Sequence, residues 1–542
     1  MSTMTGGQAV VAALVAHGVD TVFGIPGTHN LEIYRHLATS GIRHVSPRHE
    51  QGAGYAADGY ARTCGRPGVA VVTSGPALLN AAAAIGQAYS DSVPVLVVSP
   101  GLPLRHPGLG NGLLHESKDQ GAAMAAIAAA SIRVTSVPEI PVAVAQAFAL
   151  MTSGRPRPVH LEIPLDVLLE SGDVGPARLP ARRPAGPDAT ALDDAATRLS
   201  AAVRPVLLVG GGARGAAAQV RRAAERLGAP TVTTANGKGV LPEGHPLALG
   251  AGLHLSAVRD LVAEADVVLA VGTELAPSDL WSGPLPLDGR LVRIDIDPVG
   301  ALANATPAVA LIGDAGATLD ALLEALADAA AAGGPAVERA AAWRARKQEE
   351  SRAEGAEWLP IVRQLAEALP EHAIVAGDSA MVCYYGALAN LPTSRPGSFL
   401  YPTGFGTLGY GLPAAIGAKV AEPDAPVLAL LGDGGVMFTL GELATAAELA
   451  APLPVVVVDN SGYGEIRNEM IDRGDPVHAV TFRSPDFAAI GRAVGCDGVT
   501  LDGPAGLADA VRRALGAHRP TVIHVRCDPA ATATATGEGA DR

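Results

Sequence analysis

Nothing in these 542 residues approaches a membrane-spanning length of apolar chain. Runs such as "VPVLVVS" and "LPVVVV" stop at strand length, far short of the roughly 18 residues a transmembrane helix needs. The opening "MSTMTGGQAV" lacks a basic head followed by an apolar stretch, so it does not read as a secretory signal. Cysteine is scarce. The four residues Cys64, Cys383, Cys496 and Cys527 fall without paired spacing, which argues against a disulfide framework and against structural zinc. Basic charge is also in deficit, with 40 Lys and Arg against 54 Asp and Glu, a net charge of −14. That balance argues against nucleic acid as a partner. A cytoplasmic location is expected, with no membrane partner.

What the chain does contain is alternation. Short β-branched strands and Ala-rich helical stretches follow one another throughout, the pattern of α/β layers on mainly parallel sheets. A chain this long exceeds a single core, so several domains are expected. Residues 1–170 carry "TVFGI", "GVAVVTS" and "VPVLVVS", and the Pro/Arg-rich "GPARLPARRPAGPD" after them reads as a linker. Residues 190–330 form a second block with "PVLLVGGG", "DVVLAVG" and "RLVRIDID". The charged "ERAAAWRARKQEESRAEGAEW" predicts a helix leading into a third block, 359–530. The tail 531–542 reads as disordered. Blocks one and three share a layout of strands and helices, so two related domains flanking a different one are expected.

The stretch "LLGDGGVMFTLGELATAAELAAPLPVVVVDNSGYGEI" holds an acid and an amide at the ends of two neighbouring strands. Asp433, in a glycine turn, supplies a hard carboxylate. Gly434 and Gly435 leave backbone N–H groups free for phosphate oxygens. The Asn460 amide oxygen and the Gly462 carbonyl add two further hard ligands. Three protein oxygens leave octahedral room for two diphosphate oxygens and a water, the usual manner of holding Mg²⁺. Taken singly, each piece also reads as an ordinary turn.

"GDG" at Gly432–Gly434, followed at this spacing by "DN" at Asp459–Asn460, resembles the signature of thiamine diphosphate enzymes of the acetohydroxyacid synthase and 2-oxo-acid decarboxylase superfamily. The family pattern has Asn-Asn, so Asp459 departs from it, whereas the metal-ligand Asn is retained as Asn460. "RHEQGAGYAADGYAR", Arg48–Arg62, resembles the family's pyrimidine-domain helix. The resemblance implies that Glu50 hydrogen-bonds the cofactor's N1′ and activates it. It also implies that the small residues Gly52, Ala53, Ala56 and Ala57 admit another chain and the cofactor. "TGFGTLGYGLPAAIGA", Thr403–Ala418, implies an apolar support under the cofactor at Leu408 and an acceptor carbonyl at Gly406. "FGIPGTHN" places Pro26, Gly27, Thr28 and His29 on the substrate pocket. "TSGPALLN" reads Ala77 where the family usually has Gly. "GDSAMV" lacks the Gln-His pair that synthases set on the diphosphate, leaving Ser379 to serve. The resemblance covers nearly the whole chain. It implies three domains (pyrimidine-binding, central and diphosphate-binding), and a homodimer or homotetramer whose sites require two subunits. The central block's Gly210-x-Gly212-x-x-Gly215 is a nominal dinucleotide fingerprint without a following acid. An empty central fold is favoured there over FAD.

The resemblance implies decarboxylation of a 2-oxo acid, then either protonation to an aldehyde or addition to a second carbonyl compound. Departures from the synthase pattern bear on that choice. His115 stands in "LLHESKDQ" where synthases have Gln, and an imidazole can relay the proton a decarboxylase must deliver. It also reads as an exposed loop histidine. Glu465 replaces an apolar residue facing the substrate, and "VGTELAPSDLW" offers Glu274 and Asp279 in place of an Arg. A carboxylate would hold a guanidinium in bidentate fashion. Glu465 also reads as an ion-pair partner of Arg467 or Arg473, and Glu274 and Asp279 as surface acids. Together these passages most resemble 5-guanidino-2-oxopentanoate decarboxylases. The alternatives are an acetolactate synthase-like carboligase and, more remotely, a non-catalytic regulatory relative.

Overall fold

The computed structural model describes residues 2–108, 110–178, 185–326 and 334–527. The expected tail 531–542 and the middle of the expected linker lie outside them. Three six-stranded sheets are present, and every pairing within them is parallel. Their strands are near-continuous apolar runs. Val95–Gly101 and Pro454–Asp459 are buried at every position, as expected for sheets covered on both faces.

The N-terminal sheet runs, edge to edge, Arg43–Val45, Thr21–Gly24, Gly68–Val71, Val95–Gly101, Val159–Pro164, Ala130–Arg133. The C-terminal sheet runs Phe399–Leu400, Ile374–Gly377, Val427–Gly432, Pro454–Asp459, Thr521–Arg526, Asp497–Asp502. Numbered along the chain, both have the order 2-1-3-4-6-5. The middle sheet, Ala248–Ala251, Thr231–Thr233, Pro205–Val209, Val267–Val271, Leu291–Asp295, Val309–Ile312, instead has the order 3-2-1-4-5-6. The two outer sheets are thus alike and the middle one differs, as the sequence layout indicates. In each sheet the order reverses beside the first strand, and the crevice at that reversal is where open α/β sheets bind ligands. The charged segment after the middle sheet forms the helix Gly334–Glu354. No helix among the described residues is long and apolar enough to cross a membrane.

The chain divides into two compact units. The first gathers Met1–Arg182 with Phe405–Asp424 and Phe438–Ala451. The second gathers Arg183–Gly404, Ala425–Met437 and Pro452–Arg542. Two helices of the third block, Gly411–Ala421 and Glu442–Leu449, therefore pack with the N-terminal sheet's unit. Small residues make that possible. A Cβ on Gly417 would lie 2.0 Å from the Ala56 carbonyl oxygen, and one on Gly59 would lie 2.3 Å from the Ala414 carbonyl oxygen. The small face of the helix Glu50–Cys64 thus admits a helix of its own chain, where the sequence reading expects another chain. A buried network locks the contact: Tyr410 and Arg62 both donate to Asp58 (2.6 Å each), and Arg62 also donates to Asp91 at 2.8 Å.

Gly417→Ala is expected to force these helices apart and destabilise the protein by about 1–3 kcal/mol. Denaturant midpoints check this, and an unchanged midpoint would contradict the close approach.

Candidate active site

In the second unit the C-terminal sheet reverses order between Ile374–Gly377 and Val427–Gly432. Each strand ends there on a polar residue. Asp378 follows the first, fully buried, and donates no room to its neighbour: a Cβ on Gly435 would lie 3.2 Å from the Asp378 carboxylate. The Ser379 backbone N–H donates to Asp378 Oδ1 at 2.8 Å, leaving the Ser379 hydroxyl half-buried at the mouth. Asp433 opens the short helix Asp433–Val436 and is buried. Its Oδ2 accepts from the Gly462 N–H and from the Ser484 hydroxyl, each at 3.0 Å.

Asn460 completes a convergence. Its terminal amide, with the oxygen inward, lies 2.9 Å from the Gly462 carbonyl oxygen and 3.1 Å from Asp433 Oδ1. Three acceptor oxygens then face one another without a proton among them. Either the amide turns over and donates to both, or a cation satisfies all three. Octahedral Mg²⁺ with ligands at about 2.1 Å sets neighbouring oxygens roughly 3.0 Å apart, so the spacing fits such an ion. No cluster of three or more His, Cys, Asp or Glu side chains suited to a metal occurs among the described residues. A cation here would rest on one carboxylate and two neutral oxygens.

Asp459, the departure from the family pattern, has its own support. Its Oδ2 meets His524 Nε2 at 2.9 Å, its Oδ1 accepts from the Ser461 N–H at 2.9 Å, and the single Ser484 proton is shared between Asp459 Oδ1 at 2.7 Å and Asp433. Burial opposes its ionisation, but these hydrogen bonds outweigh burial and draw Asp459 down to about 2. Burial, and then the charge on Asp459, push Asp433 up to about 6. A bound cation acts against both of those effects on Asp433. Sequence reasoning missed Ser484 and His524, because nothing in a lone Ser or His at those distances along the chain announces that they meet Asp459.

Glu465, on the helix Gly464–Asp472, accepts from Tyr384 at 3.1 Å and from Tyr385 at 2.8 Å. No Lys or Arg pairs with it among the described residues, and Arg473 instead pairs with Asp475 at 2.9 Å. Asp279 Oδ1 accepts from the Ala235 N–H at 3.4 Å, and the Glu274 carbonyl accepts from Asn304 at 3.0 Å.

In the first unit the N-terminal sheet reverses order between Thr21–Gly24 and Gly68–Val71. The loops beyond these strands touch: a Cβ on Gly27, between Pro26 and Thr28, would lie 2.9 Å from Thr73 Cγ2. His29 Nδ1 lies 2.6 Å from Ser74 Oγ, which reaches His115 Nδ1 at a longer 3.5 Å. The two imidazoles meet edge to face at 4.8 Å. His115 adopts a left-handed φ of +62°, uncommon for a non-glycine residue and found disproportionately at functional sites. Burial, then the neighbouring His115, lower the pKa of His29.

Glu50 begins its helix, and its Oε2 accepts from Asn80 Nδ2 at 2.9 Å. The turn before it is fixed by Glu442, which lies over Gly52 and accepts from the N–H groups of Arg48 (3.0 and 3.2 Å) and His49 (3.0 Å). Neither Asn80 nor Glu442 is marked by sequence pattern. Gly406 takes a left-handed φ of +64°, Thr407 hydrogen-bonds Tyr55, and Gly409 is pressed against Phe438, which together fix the half-buried Leu408 between them.

After the middle sheet's first strand, two of the three fingerprint glycines are closely packed, whereas a Cβ on Gly215 would meet nothing within 4 Å. Gly210 and Gly212 lie against Gly272, and Arg214 donates to the Asn236 carbonyl at 2.9 Å.

Comparison with known proteins matches three consecutive family descriptions. Residues 4–123 match "Thiamine pyrophosphate enzyme, N-terminal TPP binding domain", 192–322 the central domain and 380–525 the C-terminal TPP binding domain. A probable 2-ketoarginine decarboxylase, AruI, of Pseudomonas aeruginosa is 49% identical over 91% of this chain and 89% of that protein. A probable acetolactate synthase large subunit of Methanocaldococcus jannaschii is 33% identical over 97% of this chain and 92% of its own. The acetolactate synthase isozyme 1 large subunit of Escherichia coli is 31% identical over 97% and 94% respectively. With both cofactor-domain signatures and the central domain present in order, this chain belongs to the thiamine pyrophosphate enzymes.

Proposed function

We propose that this chain decarboxylates 5-guanidino-2-oxopentanoate, the 2-oxo acid of arginine, to 4-guanidinobutanal and CO₂, using thiamine diphosphate and Mg²⁺. The observation that carries the reading is Glu465, a carboxylate held by two tyrosine hydroxyls instead of by a cation of the protein. Its charge is thereby left for a cationic substrate tail. The 2-ketoarginine decarboxylase relative supports the same substrate.

Bound thiamine diphosphate supplies a nucleophilic carbon and accepts the electrons freed as CO₂ leaves. The residues divide the remaining work. Asp433 Oδ1, the Asn460 amide oxygen and the Gly462 carbonyl hold Mg²⁺, while the Gly434 and Gly435 N–H groups and Ser379 face the diphosphate. Glu50, oriented by Asn80, would accept or give a proton at the aminopyrimidine of a bound cofactor. The Gly406 carbonyl and the Leu408 side chain would hold that cofactor. Pro26, Gly27, Thr28 and His29 wall the reacting end of the substrate. His29, Ser74 and His115 form a chain able to deliver the one proton that replaces CO₂ on the product carbon. A second copy of the chain is part of this reading, as a homodimer or homotetramer. FAD is not.

Product analysis after incubation with thiamine diphosphate and Mg²⁺ is expected to show 4-guanidinobutanal and CO₂ in equal amounts, and little turnover of pyruvate. Acetolactate formed from pyruvate would replace this reading with the carboligase one. Glu50→Gln is expected to lower kcat by roughly 10²–10⁴-fold, the range of a lost general acid–base group. Glu465→Gln should cost about 2–5 kcal/mol in kcat/KM for the guanidino acid, as for one lost member of a buried charge pair. Asp433→Ala is expected to abolish Mg²⁺-dependent binding of thiamine diphosphate in calorimetry, and retained binding would refute the metal assignment.

A further inference from the structure

We propose that Trp281, with Tyr384 and Tyr385, completes around Glu465 a subsite specific for a planar cation, so that the central domain helps select the substrate. The inference rests on the substrate reading given above.

Glu465 is presented as a fork. Tyr385 donates to Oε1 and Tyr384 to Oε2, so each carboxylate oxygen spends one lone pair and keeps another. Two parallel acceptors are what a guanidinium matches. Consecutive side chains on an α-helix diverge by about 100°, which would send one of the two phenols elsewhere. Val382–Ala387 is instead a π-helix, whose wider turn narrows that angle. Both hydroxyls therefore reach one carboxylate, with the rings 4.6 Å apart. Burial, then Glu465 itself, raises the pKa of both phenols, which keeps them donors. Glu354 and Glu469 add to the negative field at Tyr385.

Trp281 closes the group from the loop after the strand Val267–Val271. Its ring stands nearly perpendicular to both phenols, 5.8 Å from Tyr385 and 6.4 Å from Tyr384. The residue is held in place at some cost. Its φ is +47°, a conformation rare for a bulky side chain. Its indole N–H donates to the Ser278 carbonyl at 2.9 Å. The ring stacks on His254 at 3.8 Å, and His254 is tethered to Glu354 at 3.0 Å. Despite this fixing, Trp281 remains 43% exposed and walls a cavity of about 140 Å³ with His254, Asp279 and Tyr401. A rigid, strained, half-exposed indole thus meets the two phenols that hold the carboxylate fork, and aromatic rings with a carboxylate are the components of cation recognition. The Coulomb and π-face terms both favour a cation over a neutral isostere.

The test compares holoenzyme kinetics on 5-guanidino-2-oxopentanoate and on its neutral analogue 5-ureido-2-oxopentanoate. Trp281→Leu is expected to lower the guanidino/ureido ratio of kcat/KM roughly tenfold, within the range of a cation–π contact. The loss should appear in KM for the guanidino acid, and Trp281→Phe should restore most of it. Tyr385→Phe, which keeps the ring and frees one prong, should lower the same ratio through KM. It decides the matter if Trp281→Leu does not fold. An unchanged ratio in both variants, or equal losses on both substrates, overturns the subsite while leaving the proposed reaction intact. A wild-type enzyme that already fails to prefer the guanidino acid overturns the substrate reading itself, and the subsite with it.

Discussion

A carboxylate buried at the end of a parallel strand is costly unless something repays its lost hydration. Asp433 is in that position, and much of the diphosphate-domain site reads as a response to it. Gly462 and Ser484 each give it a hydrogen bond, and Asn460 brings a third oxygen to the same point. The two glycines that follow it, Gly434 and Gly435, keep Cβ atoms out of the way of Tyr463 and Asp378. The sheet order puts Asp433 at the reversal where no strand covers it. The unfavourable residue and the open crevice therefore coincide.

The architecture was largely legible because parallel, doubly covered strands leave an apolar record. Runs such as "VLALLG" and "PVVVVD" have few other readings, and the shared layout of the first and third blocks pointed to two alike sheets around a different one. Asp433, Asn460 and Gly462 were legible for a related reason: they follow such strands directly, so strand register alone brings them together. What lay hidden was whatever arrives from a distance. Glu442 caps the turn before Glu50 from nearly 400 residues away, and the packing of its helix with the N-terminal sheet has no local signal. Asn80 was within a quoted loop, yet only the fold shows it bonding Glu50.

The acids set aside by pattern met different fates once neighbours were known. Glu465 was read with Arg467 or Arg473 as alternative partners and is held by tyrosines. The deciding element is a π-helical turn, a backbone feature with little composition signature. The fingerprint glycines of the middle sheet show the converse case: a familiar spacing whose close approach is between two loops of the protein itself.

The pairing of Asp459 with His524 also constrains how this sequence can have changed. An Asp at 459 without the histidine would lose one of the hydrogen bonds that hold it beside Asp433 in a buried site. A histidine at 524 facing an Asn would still find a neutral acceptor in the amide oxygen. The tolerable order of substitution is therefore histidine first and acid second, and reversal must run the other way. Among relatives, Asp at this position should scarcely occur without a hydrogen-bond donor on the neighbouring strand. The two side chains act as one unit, although 65 residues separate them along the chain.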